Sequence, residues 1–314
     1  MNTRQLGSNG PFLSEIGFGA WAIGGPWEYG WGKTSDNESV SAILRALDLG
    51  ITWIDTAAVY GLGHSEEVVG KAVRGRRHKV FIATKCSQVW DEEKKVRTHA
   101  GAPSIRREIE ESLRRLQTDY IDLYQIHWPD RQTLVEESWT EMVRLRDEGK
   151  IRYIGVCNFG VDLLNRCEAI AHVQSLQPIY NMLERDIEQE ILPFCEARGI
   201  GIVAYSPMQS GLLTGSFDIS KLAPDDWRVR HSEKFREPKF SRGLRVVEAL
   251  RPLAPKYDKS VGQLAVAWVL MNEAVTSAIV GARTPGQVEK NVGAAGWTIE
   301  PNDMREIERM LEEE

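Results

Sequence analysis

Four residues capable of proton chemistry stand at or just past the ends of short apolar runs. Asp55 closes Ile51-Thr-Trp-Ile54, Tyr60 follows five residues later, Lys85 closes Val80–Lys85, and His127 closes Ile121–His127. An ammonium at the end of an apolar strand is costly unless paired, so Lys85 calls for a carboxylate, and Asp55 is the natural partner. A cation beside a phenol favours the phenolate, which predicts a lowered pKa for Tyr60. Such a phenol can donate a proton to a developing alkoxide and recover it in the reverse direction. His127 can donate a hydrogen bond to the same oxygen and orient a carbonyl. Singly, each residue has an ordinary explanation: a structural salt bridge, a core histidine, a packing tyrosine, a cap. Their convergence points to proton transfer on a carbonyl–alcohol pair. A Schiff-base aldolase using Lys85 is the rival chemistry.

These residues meet only if their strands are neighbours. The strand candidates are Ile16–Ala20, Thr52–Asp55, Val80–Lys85, Ile121–His127, Tyr153–Asn158, Ser175–Tyr180, Gly201–Tyr205 and Ser277–Gly281. Between them lie apolar stripes of helical period: Glu38–Leu49, Ser104–Leu116, Leu134–Glu148, Val161–Ala171 and Ile187–Ala197. Arg242–Ala254, Val261–Met271 and Met304–Leu311 follow as extra C-terminal-side helices, and Ser65 is read as the cap of a helix running through Glu66 and Glu67. This alternation predicts an α/β fold, a (β/α)8 TIM barrel spanning residues 1–314 as one domain. The turn Ser8-Asn9-Gly10 predicts an N-terminal β-hairpin ahead of it. Two long connections, Trp21–Asp36 and Gln209–Phe240, fall at the expected C-terminal face of the barrel. The second, with Pro224, Asp225 and Asp226, reads as a functional flap. A doubly wound sheet would need Gly-x-Gly-x-x-Gly after its first strand, and that motif is absent there.

Composition narrows the partners. The chain has 314 residues, 42% hydrophobic and 27% charged, with a net charge of −6, the profile of an ordinary soluble protein. The acidic balance argues against nucleic acid or an anionic membrane as partner. No apolar run approaches the ~18 residues of a membrane span. Cys86, Cys157, Cys167 and Cys195 lack zinc-site spacing and read as free thiols. A cytoplasmic protein without a metal is expected.

At the chemistry-bearing residues the chain resembles the aldo-keto reductase superfamily. The motifs are Asp55-Thr-Ala-x-x-Tyr60-Gly-x-Gly-x-Ser-Glu66, Thr84-Lys85 and Asp122-Leu-Tyr-x-x-His127. They continue as Ile154-Gly-Val-x-Asn158-Phe, Gln177-Pro-x-Tyr-Asn181, Ala204-Tyr-Ser-Pro207 and Gly281-Ala-Arg-Thr-Pro285, so the resemblance runs from Leu6 to Asn291 at least. It implies a (β/α)8 barrel and NADP(H)-dependent interconversion of small-molecule carbonyls and alcohols. It also implies a cofactor bound extended, without a dinucleotide-binding glycine motif.

Carried over by residue, the resemblance makes Asp55, Tyr60, Lys85 and His127 the catalytic tetrad, with Tyr60 as acid/base. Asn158 and Gln177 would hold the nicotinamide carboxamide, and Tyr205 would stack on its face. Ser206, Pro207, Met208, Ser210, Gly211 and Leu212 would form the pyrophosphate turn. Gly281, Arg283, Gln287 and Asn291 would surround the adenosine and its 2′-phosphate, while Gly19 and Trp21 would border the cofactor from the first strand. Trp21, Trp27, Trp90 and Trp128 are candidates for a substrate pocket for aromatic or sugar-like carbonyls. Two departures stand out: Cys157 replaces the serine common before the asparagine, and Gly281 and Gln287 replace basic residues. The Gly-Ala-Arg form resembles a bacterial branch in which the arginine takes over. Some members resemble slow or non-catalytic redox-sensing accessory subunits of membrane channels; the intact tetrad speaks against pure loss of activity, and a sensing role stays open as the alternative.

Overall fold

The computed structural model describes residues 1–224 and 226–313. Asp225 of the long second connection lies outside the described residues. Eight parallel strands close a barrel. Numbering the barrel strands alone, they are β1 (Ile16–Gly19), β2 (Trp53–Asp55), β3 (Phe81–Cys86), β4 (Ile121–Ile126), β5 (Ile151–Cys157), β6 (Ser175–Gln177), β7 (Gly201–Tyr205) and β8 (Val275–Gly281). Each pairs with its successor, and β8 pairs with β1. The expected (β/α)8 barrel is therefore present, with strand boundaries displaced by only a few residues.

The strands are buried on both faces, which is why they read as continuous apolar runs instead of alternating ones. Inside the barrel, Trp53 lies against Gly17, where an added Cβ would come within 2.2 Å of the indole ring. The Trp53 indole donates to Ser277 Oγ at 3.0 Å. A hairpin of Thr3–Gln5 and Phe12–Ser14 covers the N-terminal end of the barrel, as expected. It adds Leu6 and Leu13 to the interior cluster of Trp53, Ala83, Leu123, Val203 and Ile279.

The helices form the outer layer, with differences that have local causes. The helix after β2 spans His64–Val73 and starts from Gly63, at φ 103°. Ser65 is thus not its cap, and its hydroxyl turns inward to Ala20 O at 2.9 Å. The segment expected as Arg242–Ala254 is helical over Lys239–Leu250. Pro252 cannot continue the i to i−4 ladder, and a 3-10 turn Ala254–Tyr257 follows. Elements not anticipated include a hairpin of Gln88–Trp90 and Val96–Thr98 after β3, and a helix Pro285–Val292 after β8, capped by Thr284.

The two long connections meet above the C-terminal strand ends. Trp21 lies 5.6 Å from Trp31 and 5.3 Å from Trp227 between ring centroids. The Arg228 guanidinium sits 4.4 Å over the Trp31 ring, paired with Asp226 at 2.6 Å. The connection expected as a functional flap carries short helical turns at Gln209–Thr214, Ile219–Lys221 and Glu233–Phe235 and a short helix Trp227–Arg230. Among the described residues no helix is long and apolar enough to cross a membrane.

Candidate active site

The C-terminal ends of β2, β3 and β4 bring the four proton-active residues together. Lys85 Nζ donates to Asp55 Oδ1 at 2.7 Å, to Thr56 O at 2.9 Å and to Tyr60 Oη at 3.1 Å. The Tyr60 ring stands edge-on to His127, with centroids 5.7 Å apart. Asp55 spends its second oxygen on Gln177 Nε2 at 2.8 Å. Asn158 lies in the left-handed region at φ 60°. It donates to His127 O at 3.1 Å and accepts from Tyr205 Oη at 3.0 Å. Strands β2 to β7 are in this way laced by side chains at one level.

The electrostatics differ from the expectation in one respect. Burial raises the Tyr60 phenol and outweighs the nearby Lys85 cation, which acts in the expected downward direction, so that the phenol is pushed up to about 12. The prediction of a lowered pKa is corrected accordingly: without ligands the group is a firmly protonated phenol. Burial would also lower the Lys85 ammonium, but Asp55 and then Tyr60 more than offset it, and the net shift is upward. A lysine held protonated, 1% exposed and with three acceptors, is unsuited to Schiff-base chemistry. His127 is held well below its usual value, by burial first and the Lys85 cation second. It is a neutral imidazole at physiological pH, with one N–H to donate.

Tyr60 and His127 open onto a cavity of about 1620 Å³ that runs along the barrel mouth. Its lining includes Arg97, Lys221, Arg228, Lys234, Arg251, Lys259, Arg283 and Lys290 against the carboxylates Asp55 and Asp218. For a chain of net charge −6 this concentrates cations where a ligand would lie, and it suits an elongated anion.

The Aldo/keto reductase family model matches residues 15–312. The chain belongs to this family. Aldo-keto reductases are oxidoreductases acting on carbonyls and alcohols with nicotinamide cofactors. The chain is 42% identical to the aldo-keto reductase YhdN of Bacillus subtilis (strain 168), covering 99% of this chain and 94% of that protein. It is 34% identical to the NADH-specific methylglyoxal reductase of Escherichia coli (strain K12), covering 99% and 100%. The solved glycerol dehydrogenase AKR11B4 from Gluconobacter oxydans superposes with a TM-score of 0.90 at 40% identity, covering 99% and 95%.

The residues assigned to an aldo-keto reductase cofactor mostly share the cavity. Gly19, Trp21, Asp55, Asn158, Gln177, Tyr205, Ser206, Pro207, Met208, Ser210, Gly211, Gly281, Arg283, Gln287 and Asn291 all line it. Ser206 and Ser210 adopt φ 58° and 53°, and Ser210 N–H donates to Ser206 Oγ at 3.1 Å, so the turn after β7 is tightly wound. Leu212 is the exception. Its side chain is buried against Gly243, where an added Cβ would lie 2.4 Å from Leu212 Cδ2. Gln287 Oε1 accepts from Arg283 N–H at 2.7 Å and Asn291 Nδ2 donates to Gly281 O at 3.1 Å, so both brace the loop after β8.

Of the four tryptophans read as a substrate pocket, Trp21, Trp27 and Trp128 line the cavity and Trp90 does not. The chain leaves β3 through Ser87 at φ 77° and enters the unanticipated hairpin, which sets Trp90 opposite Val96. Gln88, Val96, Arg97 and Thr98 of that hairpin line the cavity instead. Alternation of Gln88-Val-Trp90 and Val96-Arg-Thr98 about a turn was the signal available for it.

Proposed function

We propose that this aldo-keto reductase interconverts small carbonyl compounds and alcohols with NADP(H), with Tyr60 as general acid and base. The observation that carries the reading is the 3.1 Å contact between Lys85 Nζ and Tyr60 Oη at the cavity wall, beside a neutral His127. The cofactor supplies and accepts hydride when bound. Its carboxamide is assigned to Asn158 and Gln177, its nicotinamide face to Tyr205, its pyrophosphate to the turn 206–211, and its 2′-phosphate to Arg283.

In the reductive direction the Tyr60 hydroxyl gives its proton to the carbonyl oxygen as that oxygen gains charge. The Lys85 ammonium then faces a phenolate 3.1 Å away and stabilises it. Asp55 keeps that ammonium charged and in place. The His127 N–H holds the carbonyl oxygen toward Tyr60 without competing for the proton, because burial and the Lys85 cation make the neutral imidazole a poor base. Alcohol oxidation runs the same proton back to the phenolate.

The substrate end of the cavity combines Trp27 and Trp128 with Gln88 and Thr98, apolar walls with a few polar groups. Two relatives, a methylglyoxal reductase and a glycerol dehydrogenase, act by name on small oxygenated compounds. Small hydroxylated aldehydes and ketones are the corresponding class here.

The test is Tyr60→Phe. Cofactor binding, followed by tryptophan fluorescence, is expected to persist, while turnover of an aldehyde and ketone panel falls at least ~10²–10⁴-fold, the usual worth of general acid catalysis. Near-normal turnover in the variant would remove Tyr60 from this role.

A further inference from the structure

Lys85 Nζ has three protons and three acceptors, and two of those acceptors belong to the adjacent residues Asp55 and Thr56. The third is the Tyr60 phenol. Whatever holds the Thr56 peptide therefore sets the angle at which the ammonium faces the phenol. Thr56 N–H donates to Ala83 O at 2.9 Å. The Thr56 hydroxyl lies 2.9 Å from Ser65 Oγ. Ser65 has a single hydroxyl proton, and it goes to Ala20 O at 2.9 Å. The bond between the two hydroxyls is consequently donated by Thr56.

The backbone closes this arrangement into a ring. Ser65 N–H donates to Tyr60 O at 3.1 Å, and Ala20 N–H donates to Asp55 O at 2.8 Å. Ser65 thus joins three pieces of chain: the end of β1, the segment after β2 and the turn that carries Tyr60. Ala20, Thr56 and Ser65 are all 0% exposed, so water cannot replace a missing partner.

We propose that the Thr56–Ser65 hydroxyl pair is a positioning device that holds the Lys85 ammonium on the Tyr60 phenol, while touching neither substrate nor cofactor. The proposal rests on the reading of Tyr60 as general acid and base. Without the pair, the Thr56 carbonyl is free to turn. The ammonium then settles toward Asp55, its closer partner, and away from the phenol. A purely structural role predicts lower stability alone, because the reacting groups would keep their geometry.

Three variants test it. Thr56→Val keeps shape and the Ser65–Ala20 bond but removes the donor. Ser65→Ala removes the shared acceptor. Thr56→Ser restores a hydroxyl and serves as the rescue. In Thr56→Val and Ser65→Ala, kcat is expected to fall ~10–100-fold, the range that follows from misplacement of a catalytic group by about 1 Å or less. KM and the cofactor dissociation constant stay within about twofold, and the alkaline limb of alcohol oxidation moves to higher pH. Thr56→Ser recovers rate and limb together. A crystal structure of Thr56→Val is expected to show a longer Lys85 Nζ to Tyr60 Oη separation than in wild type. That separation does not depend on turnover, so it tests the positioning even if the wild type reduces no carbonyl and the functional reading fails. Wild-type kcat with an unmoved limb, an unchanged separation, or a loss confined to KM or cofactor affinity overturns the proposal. Should Ser65→Ala not fold, Thr56→Val and its rescue decide alone.

Discussion

At the residue scale, Tyr60 shows how two opposed influences divide. Burial pushes the phenol up to about 12, and Lys85 pulls against it. Removing the cation by Lys85→Met leaves burial and the Asp55 charge both acting upward. The alkaline limb of alcohol oxidation should move to higher pH, each unit corresponding to ~1.4 kcal/mol. A fall in rate with an unmoved limb would mean that the lysine positions the phenol and does not tune it. Glu108 offers a second titration. Burial is the main cause that lifts its carboxyl from 4.5 to about 7, against hydrogen bonds from Ser104 and the Ser87 N–H. A raised acid binds its proton more tightly folded than unfolded, so it lowers stability as pH rises between 4.5 and about 7. Glu108→Gln should flatten the slope of stability against pH in that window, measured by urea unfolding at a series of pH values. The identities of Asp55, Tyr60, Lys85 and His127 were legible because each polar group interrupts or closes an apolar run. The sign of the Tyr60 shift was not, since it depends on how much water the fold removes, which no local pattern records.

At the scale of elements, helix His64–Val73 is bound to the barrel by a buried carboxylate. Glu66, 0% exposed, accepts from Thr84 Oγ1 at 2.6 Å on β3 and from Arg115 Nε at 2.7 Å on helix Ala102–Leu116. Arg115→Ala strands that carboxylate and should destabilise the protein by ~3–5 kcal/mol, whereas replacing both partners with apolar residues should cost much less. Denaturant midpoints of the single and double variants give the comparison. Equal costs would show that the pair acts by packing. Strands buried on both faces were readable as apolar runs, and Val261–Met271 was placed to the residue. Ser65 was misread as a cap because a serine before two acids carries that signature whether its hydroxyl faces the helix end or the barrel. The hairpin that displaces Trp90 was missed because its strands are three residues each, so the alternation they carry is brief and easily passed over.

For the whole molecule, the cavity is a product of loops that are remote in sequence. Arg283, after β8, reaches Trp31 O in the first connection at 3.5 Å, and under the proposed NADP(H) reading its guanidinium would meet the 2′-phosphate. A guanidinium can grip a phosphate with two N–H bonds. Arg283→Ala should weaken NADPH binding ~10–100-fold, the equivalent of ~1.5–3 kcal/mol for a charge-assisted hydrogen bond, and change NADH binding little. Dissociation constants for both cofactors by tryptophan fluorescence make the check. Equal losses would assign Arg283 to adenine stacking instead.

The hairpin that covers the N-terminal end of the barrel is tied to the other end of the chain. Arg4 donates to Leu270 O at 2.8 Å and to Val275 O at 2.9 Å, across 271 residues in the second case, and β1 finds its second neighbour in β8. Ribosomes deliver the chain from its N-terminus, so β1 and the hairpin emerge long before the strand that completes them. Until then β1 has an open edge and Leu6 and Leu13 have an unfinished interior to fill. Contacts of such sequence separation form late and leave apolar surface uncovered meanwhile. The barrel therefore cannot close until its last strand has left the exit tunnel.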